Sequence, residues 1–211
     1  MPQNRSPMSS SSQELSLREI IQHFAGALKE VDERRPVEGS YDPGIGPHPE
    51  EEAVSLALQE LGESFPGRYA EASPHPYPSS GRECDIVIPG HWAIEVKLAR
   101  PYRDNGDVSP YWVKKVLSPY PDDYPGSRSA VGDCLKLAGS DFEERKALMV
   151  IGYEHDPPKI EVGTAVEALE LITEEVQGVR LGPRQESSAE DLVHDVFERS
   201  TVYGWEVEPS R

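Results

Sequence analysis

The sequence has few cysteines, few positive charges and no long apolar run, and each shortage excludes a class of protein. Two cysteines, Cys84 and Cys134, are too few for a disulfide framework or a zinc site, so we expect buried free thiols in a reducing cytoplasm. No stretch approaches the roughly 20 apolar residues of a membrane helix. The six histidines show no paired metal-ligand spacing, and the chain lacks a nucleophile elbow, a phosphate-binding glycine loop and a dinucleotide fingerprint. We therefore expect a cytoplasmic protein with no membrane partner.

The shortage of Lys and Arg gives the 211-residue chain a formal net charge of −17. That charge argues against a general nucleic-acid coat, because such proteins are basic. The charge is unevenly spread, however. Residues 97–136 contain seven cations and five carboxylates, a net charge of +2, so the remainder carries −19. A nucleic-acid site is compatible with this composition if it lies beside that segment.

Residues 81–100, GRECDIVIPGHWAIEVKLAR, contain two apolar β-type runs separated by a Pro-Gly turn signal. Asp85 interrupts the first run, and Glu95 and Lys97 interrupt the second. Side chains two apart on a strand share a face, so Glu95 and Lys97 point the same way. Charges in the middle of apolar strands are costly unless something offsets them.

The register of this hairpin decides whether the two acids meet. A three-residue loop, Pro89 to His91, places Asp85 opposite Glu95. A two-residue loop would put the two carboxylates on opposite faces of the hairpin. We predict an odd-length loop or an equivalent bulge.

Two carboxylates and an ammonium on one face suit a hard divalent cation. Mg²⁺, with Mn²⁺ as a substitute, takes oxygen ligands and keeps several waters, so two carboxylates plus substrate phosphate oxygens complete its shell. Lys97 would then lie near the attacking water or the developing charge.

The spacing of Asp85 and Glu95-Val96-Lys97 across two β-type runs resembles the PD-(D/E)xK nuclease superfamily, which has the restriction-endonuclease-like fold. The resemblance implies that Asp85 and Glu95 bind Mg²⁺ and that Lys97 assists the water. Cys84 stands where the family's nominal proline precedes the aspartate. The implied activity is that of a metal-dependent endonuclease that hydrolyses phosphodiester bonds, with DNA as the expected substrate. The alternative is a catalytically inactive nuclease-like fold that serves as a protein- or nucleic-acid-binding module.

The order of elements around the motif agrees with that resemblance. From Pro49 onward the patterns predict helix, strand, strand, strand, helix, strand, which is the αβββαβ core of the superfamily over about residues 49–153. We expect a three-layer α/β/α fold with a mixed sheet of four to five strands and helical extensions at both ends. A disordered tail, 1–14, would precede a single domain, 15–211.

Two of the predicted elements have weak patterns. The strand before the hairpin is placed at 68–72, with 73–78 as a loop. A short C-terminal helix is placed from Ser188, with Asp191 as its capping partner, to Phe197.

The first helix begins with a capping box formed by Ser16 and Glu19, followed by an apolar stripe at helical spacing. It either packs on its own domain or forms a partner or dimer helix.

The second helix begins near Pro49. Its first turn contains Glu50, which lies near the middle of the buried stripe, and Glu51 toward one side. In the resembling superfamily such a helix often supplies a further acid to the metal, so Glu50 is the candidate ligand and Glu51 the reserve. Alternatively, these glutamates simply complement the helix dipole.

Residues 101–125 mix aromatic side chains with cations. This is typical of a nucleic-acid groove, where aromatics stack on bases and cations contact phosphates. A long loop anchored by its aromatics explains the same composition. In the following helix, predicted at 127–137, Lys136 or Arg128 either reaches the site or lies on the solvated surface.

Overall fold

A computed structural model describes residues 14–37, 42–119 and 128–208 of the chain. The predicted tail, except Glu14, lies outside the described residues, as do Tyr120 and Tyr124 of the aromatic segment. No helix in the described part of the chain is long and apolar enough to cross a membrane.

Six strands form one mixed sheet, with the spatial order β1-β2-β3-β4-β6-β5. Strands β3 and β4 are parallel, and every other neighbouring pair is antiparallel. The α/β class is confirmed, but the sheet is larger than the four to five strands expected. The strands are β1 Ser73–Pro76, β2 Glu83–Ile88, β3 Trp92–Ala99, β4 Arg145–Glu154, β5 Gln185–Ala189 and β6 Arg199–Glu206.

Helices cover both faces of this sheet and make three layers. One face packs against α1 and α2, and the opposite face packs against α4, α5 and α6, each with its own apolar core. The predicted αβββαβ order is present, with two short helices added to it. The helices are α1 Leu17–Glu33, α2 Glu50–Ser64, α3 Pro66–Tyr69, α4 Trp112–Leu117, α5 Ala130–Ala138 and α6 Val162–Leu171, which continues as a π-helical turn, Ile172–Val176.

Helix α1 has the predicted capping box. The Glu19 backbone N–H donates to Ser16 Oγ at 3.3 Å, and the Glu19 carboxylate accepts from the Ser16 backbone N–H at 3.0 Å. The apolar stripe of α1, including Ile21 and Phe24, is fully buried in the core beneath the sheet. Of the two interpretations, packing on its own domain is the one that the described residues support.

Two weakly patterned elements were predicted wrongly. The strand expected at 68–72 is absent there, because α3 occupies Pro66–Tyr69. The loop expected at 73–78 is wrong over Ser73–Pro76, which form the strand β1. The helix expected from Ser188 to Phe197 is also wrong, since β5 runs through Ser188 and pairs with β6. Cys84 and Cys134 are buried free thiols, as predicted.

Candidate functional site

The hairpin register brings the two motif strands together as predicted. Ile88 pairs with Trp92 across a three-residue loop, and the pairing of β2 with β3 ends at Ile86 and Ile94. Continuing the same register by one residue puts Asp85 opposite Glu95. Beyond this point β2 and β3 separate, and the site lies at their fork.

Carboxylates replace the missing strand partner along the open edge of β3. The Val96 backbone N–H donates to Asp85 Oδ2 at 2.7 Å, and the Leu98 backbone N–H donates to Glu50 Oε2 at 2.8 Å. Each bond satisfies a donor that the diverging strand β2 no longer reaches. The two acids are thereby fixed by the backbone rather than by flexible side chains.

The Asp85 and Glu95 carboxyl groups lie close enough for each to shift the pKa of the other. Glu95 is only 2% exposed. Its Oε1 accepts from the Tyr77 hydroxyl at 2.5 Å and lies 2.8 Å from Lys136 Nζ. Two adjacent buried carboxyl groups disfavour each other's ionised form, and a bound proton or cation relieves that repulsion.

The Lys97 side chain lies between α2 and α5 and pairs with one carboxylate from each helix. Its Nζ lies 3.1 Å from Glu50 Oε1 and 3.1 Å from Asp133 Oδ2. The other oxygen of Asp133 lies 3.0 Å from Lys136 Nζ, at an i to i+3 spacing on α5. The result is a chain of four carboxylates and two ammonium groups, with a formal charge of −2 when all are ionised.

Burial and mutual repulsion perturb the acids of this cluster. Burial, together with the nearby Asp133 and Asp85 carboxylates, raises the pKa of Glu95 to about 8, although Lys136 opposes the shift. Burial also raises the pKa of Asp85 above its usual range, against the hydrogen bond from Val96. The negative charge of the site is therefore not fully balanced by the protein.

The lysines respond in the opposite sense. Burial alone would lower the pKa of Lys97, but Asp133, Glu50 and Asp85 outweigh it and hold that pKa above its ordinary value. The pKa of Lys136 is raised in the same way by Asp133 and Glu95, against burial. Both side chains are cations at neutral pH.

The cluster lines a solvent-connected cleft of about 1030 Å³ between α2, the β1–β2 edge and α5. Its wall includes Glu51, Arg82 and the exposed Arg128, in addition to Asp85, Glu95, Lys97, Asp133 and Lys136. A substrate group can therefore reach the acids from solvent.

The structure brings together Asp85, Glu95, Lys97 and Glu50, all of which the sequence singled out. It does not arrange three acids around one point: within the described ranges no group of three or more His, Cys, Asp and Glu residues is placed to hold a metal. Glu50 is engaged by Lys97 and the Leu98 N–H. Glu51 lines the cleft but makes no hydrogen bond or ion pair with the described residues of the cluster.

Sequence reasoning missed two members of the cluster and underrated a third. The sequence pattern singles out neither Tyr77, which lies in the predicted loop 73–78, nor Asp133 of the predicted helix 127–137, and it leaves open whether Lys136 reaches the site. A signal was present for α5, because Asp133 and Lys136 lie at i to i+3 on an otherwise apolar helix. No signal marked Tyr77.

Comparisons with protein-family models, with curated proteins and with solved structures gave no significant match. The functional interpretation of the cleft therefore depends on its residues and on the order of the elements that hold them.

Proposed function

We propose that this protein is a Mg²⁺-dependent endonuclease of the PD-(D/E)xK type, which hydrolyses phosphodiester bonds in nucleic acid, with DNA as the expected substrate. One observation carries the proposal: the Asp85 carboxylate binds the Val96 N–H, next along the chain to Glu95, at a strand fork, beside a buried lysine, inside a cleft open to solvent.

The residues fit a hard divalent cation by donor type and by charge. Asp85 and Glu95 are adjacent oxygen donors, and two carboxylates suffice when waters and phosphate oxygens complete the shell of Mg²⁺. The cluster's formal charge of −2 and the raised pKa of Glu95 both favour an added positive charge. Asp85 and Glu95 would hold the ion, and Glu50 supports the site by orienting Lys97.

Bound Mg²⁺ supplies a water of lowered pKa and neutralises charge on the phosphate. The protein supplies position and electrostatics. Because the pKa of Lys97 is raised, its ammonium stays protonated and stabilises developing negative charge rather than taking a proton from the water. Asp133 holds Lys97 and Lys136 in place, and Tyr77 fixes one oxygen of Glu95.

The alternative, a nuclease-like fold that only binds a protein or nucleic acid, is favoured by one feature of the same cluster. Lys97 and Lys136 already pair with Glu50, Asp133 and Glu95, so part of the charge that a metal would balance is balanced by the chain.

A cleavage assay separates the two proposals. Plasmid, single-stranded DNA and RNA are incubated with the protein in Mg²⁺, in Mn²⁺ and in EDTA. Metal-dependent products are expected, with a rate lowered about a hundredfold or more by Lys97→Ala, since a preorganised charge is lost. Lys97→Met keeps the length of the side chain, and Lys159→Ala, an exposed lysine far along the chain, is the matched control.

Circular dichroism and thermal unfolding check that each variant is folded. Folded protein that binds nucleic acid but gives no product in either metal ion would establish the binding module. Unchanged activity in both folded Lys97 variants would remove Lys97 from the mechanism.

A further inference from the structure

A second cleft, of about 480 Å³, adjoins the first and shares Glu50 with it. Its walls are the segment 100–111, the start of α4 and the turn before α2. The residues that matter below are Arg103, Tyr111 and Lys115. Anything bound along both clefts must pass Glu50, next to Lys97.

The cations of this second cleft are available to a ligand. The side chains of Arg103 and Lys115 are exposed, and within the described part of the chain neither makes an ion pair. Arg100 differs, because its guanidinium donates to the carbonyls of Gly46, Pro47 and His48 and so anchors the turn before α2. Arg103 and Lys115 are therefore suited to binding a ligand, whereas Arg100 has a structural role.

Tyr111 is the aromatic member of the cleft, and 63% of it is exposed. Lys114 Nζ lies 6.0 Å from the centroid of the Tyr111 ring, and most of that ring is accessible to solvent. Its neighbours Tyr102 and Trp112 are buried and anchor the segment. Among the described aromatic residues of this segment, Tyr102 and Trp112 anchor the chain and Tyr111 presents its ring.

We propose that the second cleft binds an unpaired nucleotide of the strand that enters the first cleft, with its base stacked on Tyr111 and its phosphates against Arg103 and Lys115. An exposed ring flanked by cations is the combination used to bind single strands, since every base has a π-face and every nucleotide a phosphate. The volume of 480 Å³ lies in the range of about 300 to 1,000 Å³ of small-ligand sites, so the cleft is large enough for a nucleotide.

The inference deepens the proposed function, because it names single-stranded or flapped nucleic acid as the substrate class of that site. Its binding component does not depend on catalysis. Binding in the second cleft and cleavage in the first cleft can therefore be tested separately.

The test measures fluorescence anisotropy of a labelled oligothymidylate with the full chain in EDTA, so that no cleavage occurs. Tyr111→Ala is expected to weaken binding about tenfold, and Tyr111→Phe, which keeps the stacking ring, to restore it. The double variant Arg103→Ala with Lys115→Ala should weaken binding further, whereas Lys159→Ala should not. A blunt duplex of the same length should bind about tenfold more weakly than the single strand.

Equal binding of duplex and single strand, or unchanged binding by folded Tyr111→Ala, would overturn the inference. If binding depends on Tyr111 but no metal ion gives cleavage, the nuclease proposal fails and the cleft assignment stands. If cleavage occurs with a KM unaffected by Tyr111→Ala, the nuclease stands and the cleft assignment fails.

Discussion

At the residue scale, backbone N–H groups hold two acids of the site, Asp85 and Glu50, in place. Asp85 and Glu50 each accept a β3 N–H that has lost its strand partner, so moving either carboxylate would leave a backbone donor unsatisfied. Glu95 differs, since its partners are the side chains of Tyr77 and Lys136 and it repels Asp85 and Asp133. Because of this repulsion we expect Glu95 to lower the stability of the fold, a cost that is common at functional sites.

Replacing Glu95 by Gln separates stability from activity. Gln keeps an acceptor for Tyr77 and removes the repulsion with Asp85 and Asp133, which offsets the loss of the ion pair with Lys136, so the free energy of unfolding should stay within about 1 kcal/mol of the parent. Cleavage should fall about a hundredfold or more, because a metal-binding carboxylate is lost. Denaturant unfolding and the cleavage rate are the measurements. A large loss of stability would mean that Glu95 is primarily structural.

The capping residue Glu19 gives a pH dependence that can be worked out from its surroundings. The side-chain and backbone hydrogen bonds from Ser16, and then Arg68, lower its pKa to about 2. A lowered folded-state pKa contributes stability above the unfolded value, near 4.5, and that contribution is lost as the pH falls toward 2. Glu19→Gln should therefore be less stable than the parent near neutral pH, with the difference shrinking between about pH 4.5 and 2. Thermal unfolding across that range measures it, and a difference independent of pH would contradict it.

Residues close in sequence were predictable, and residues joined only by the tertiary fold were not. Ser16 with Glu19, and Asp85 with Glu95 and Lys97, lie on single elements or on one hairpin, where spacing fixes geometry. Tyr77 approaches Glu95 only because of how the segment after β1 folds back. Its 18-residue separation from Glu95 carries no periodic signal.

Strand pairing shows the same division at the scale of elements. The β2–β3 register was predictable because a Pro-Gly turn and two apolar runs leave few alignments. Strands β1 and β5 were missed because they are short edge strands, rich in Ser, Pro and polar residues, without a buried alternating face. At edges, pairing with the neighbouring backbone decides the structure where side-chain pattern does not.

The hairpin loop can be tested through Gly90, which has a φ of +72°. Nothing lies within 4 Å of a Cβ added there, so Gly90→Ala should cost only backbone strain, about 1 kcal/mol of unfolding free energy. Gly26→Ala is the control, because Gly26 is an exposed position inside α1 with open space around it, and it should stabilise by about 1 kcal/mol. Chemical denaturation of both variants gives the comparison. Equal effects of the two substitutions would contradict the left-handed conformation of the loop.

At the scale of the whole molecule, the distribution of charge decides where a nucleic-acid strand can bind. The chain carries −17, yet exposed cations line both clefts: Arg128 lines the first, and Arg103 and Lys115 line the second. An acidic surface elsewhere repels a polyanion, so a strand should bind only along the clefts. The protein then attracts a nucleic-acid strand only at the clefts, and its cations neutralise few of the phosphates.

The salt dependence of binding counts those phosphates. Three cations predict a slope of log K against log salt of about −2, at about 0.7 per phosphate for a single strand, and hence an affinity loss of about fifteenfold between roughly 50 and 200 mM salt. Lys115→Ala should reduce the slope by about 0.7, while Lys159→Ala should leave it unchanged. Anisotropy titrations of oligothymidylate at several salt concentrations measure it. A much steeper slope would place the strand on a wider surface than the two clefts, and the acidity of the rest of the molecule makes such a path unfavourable.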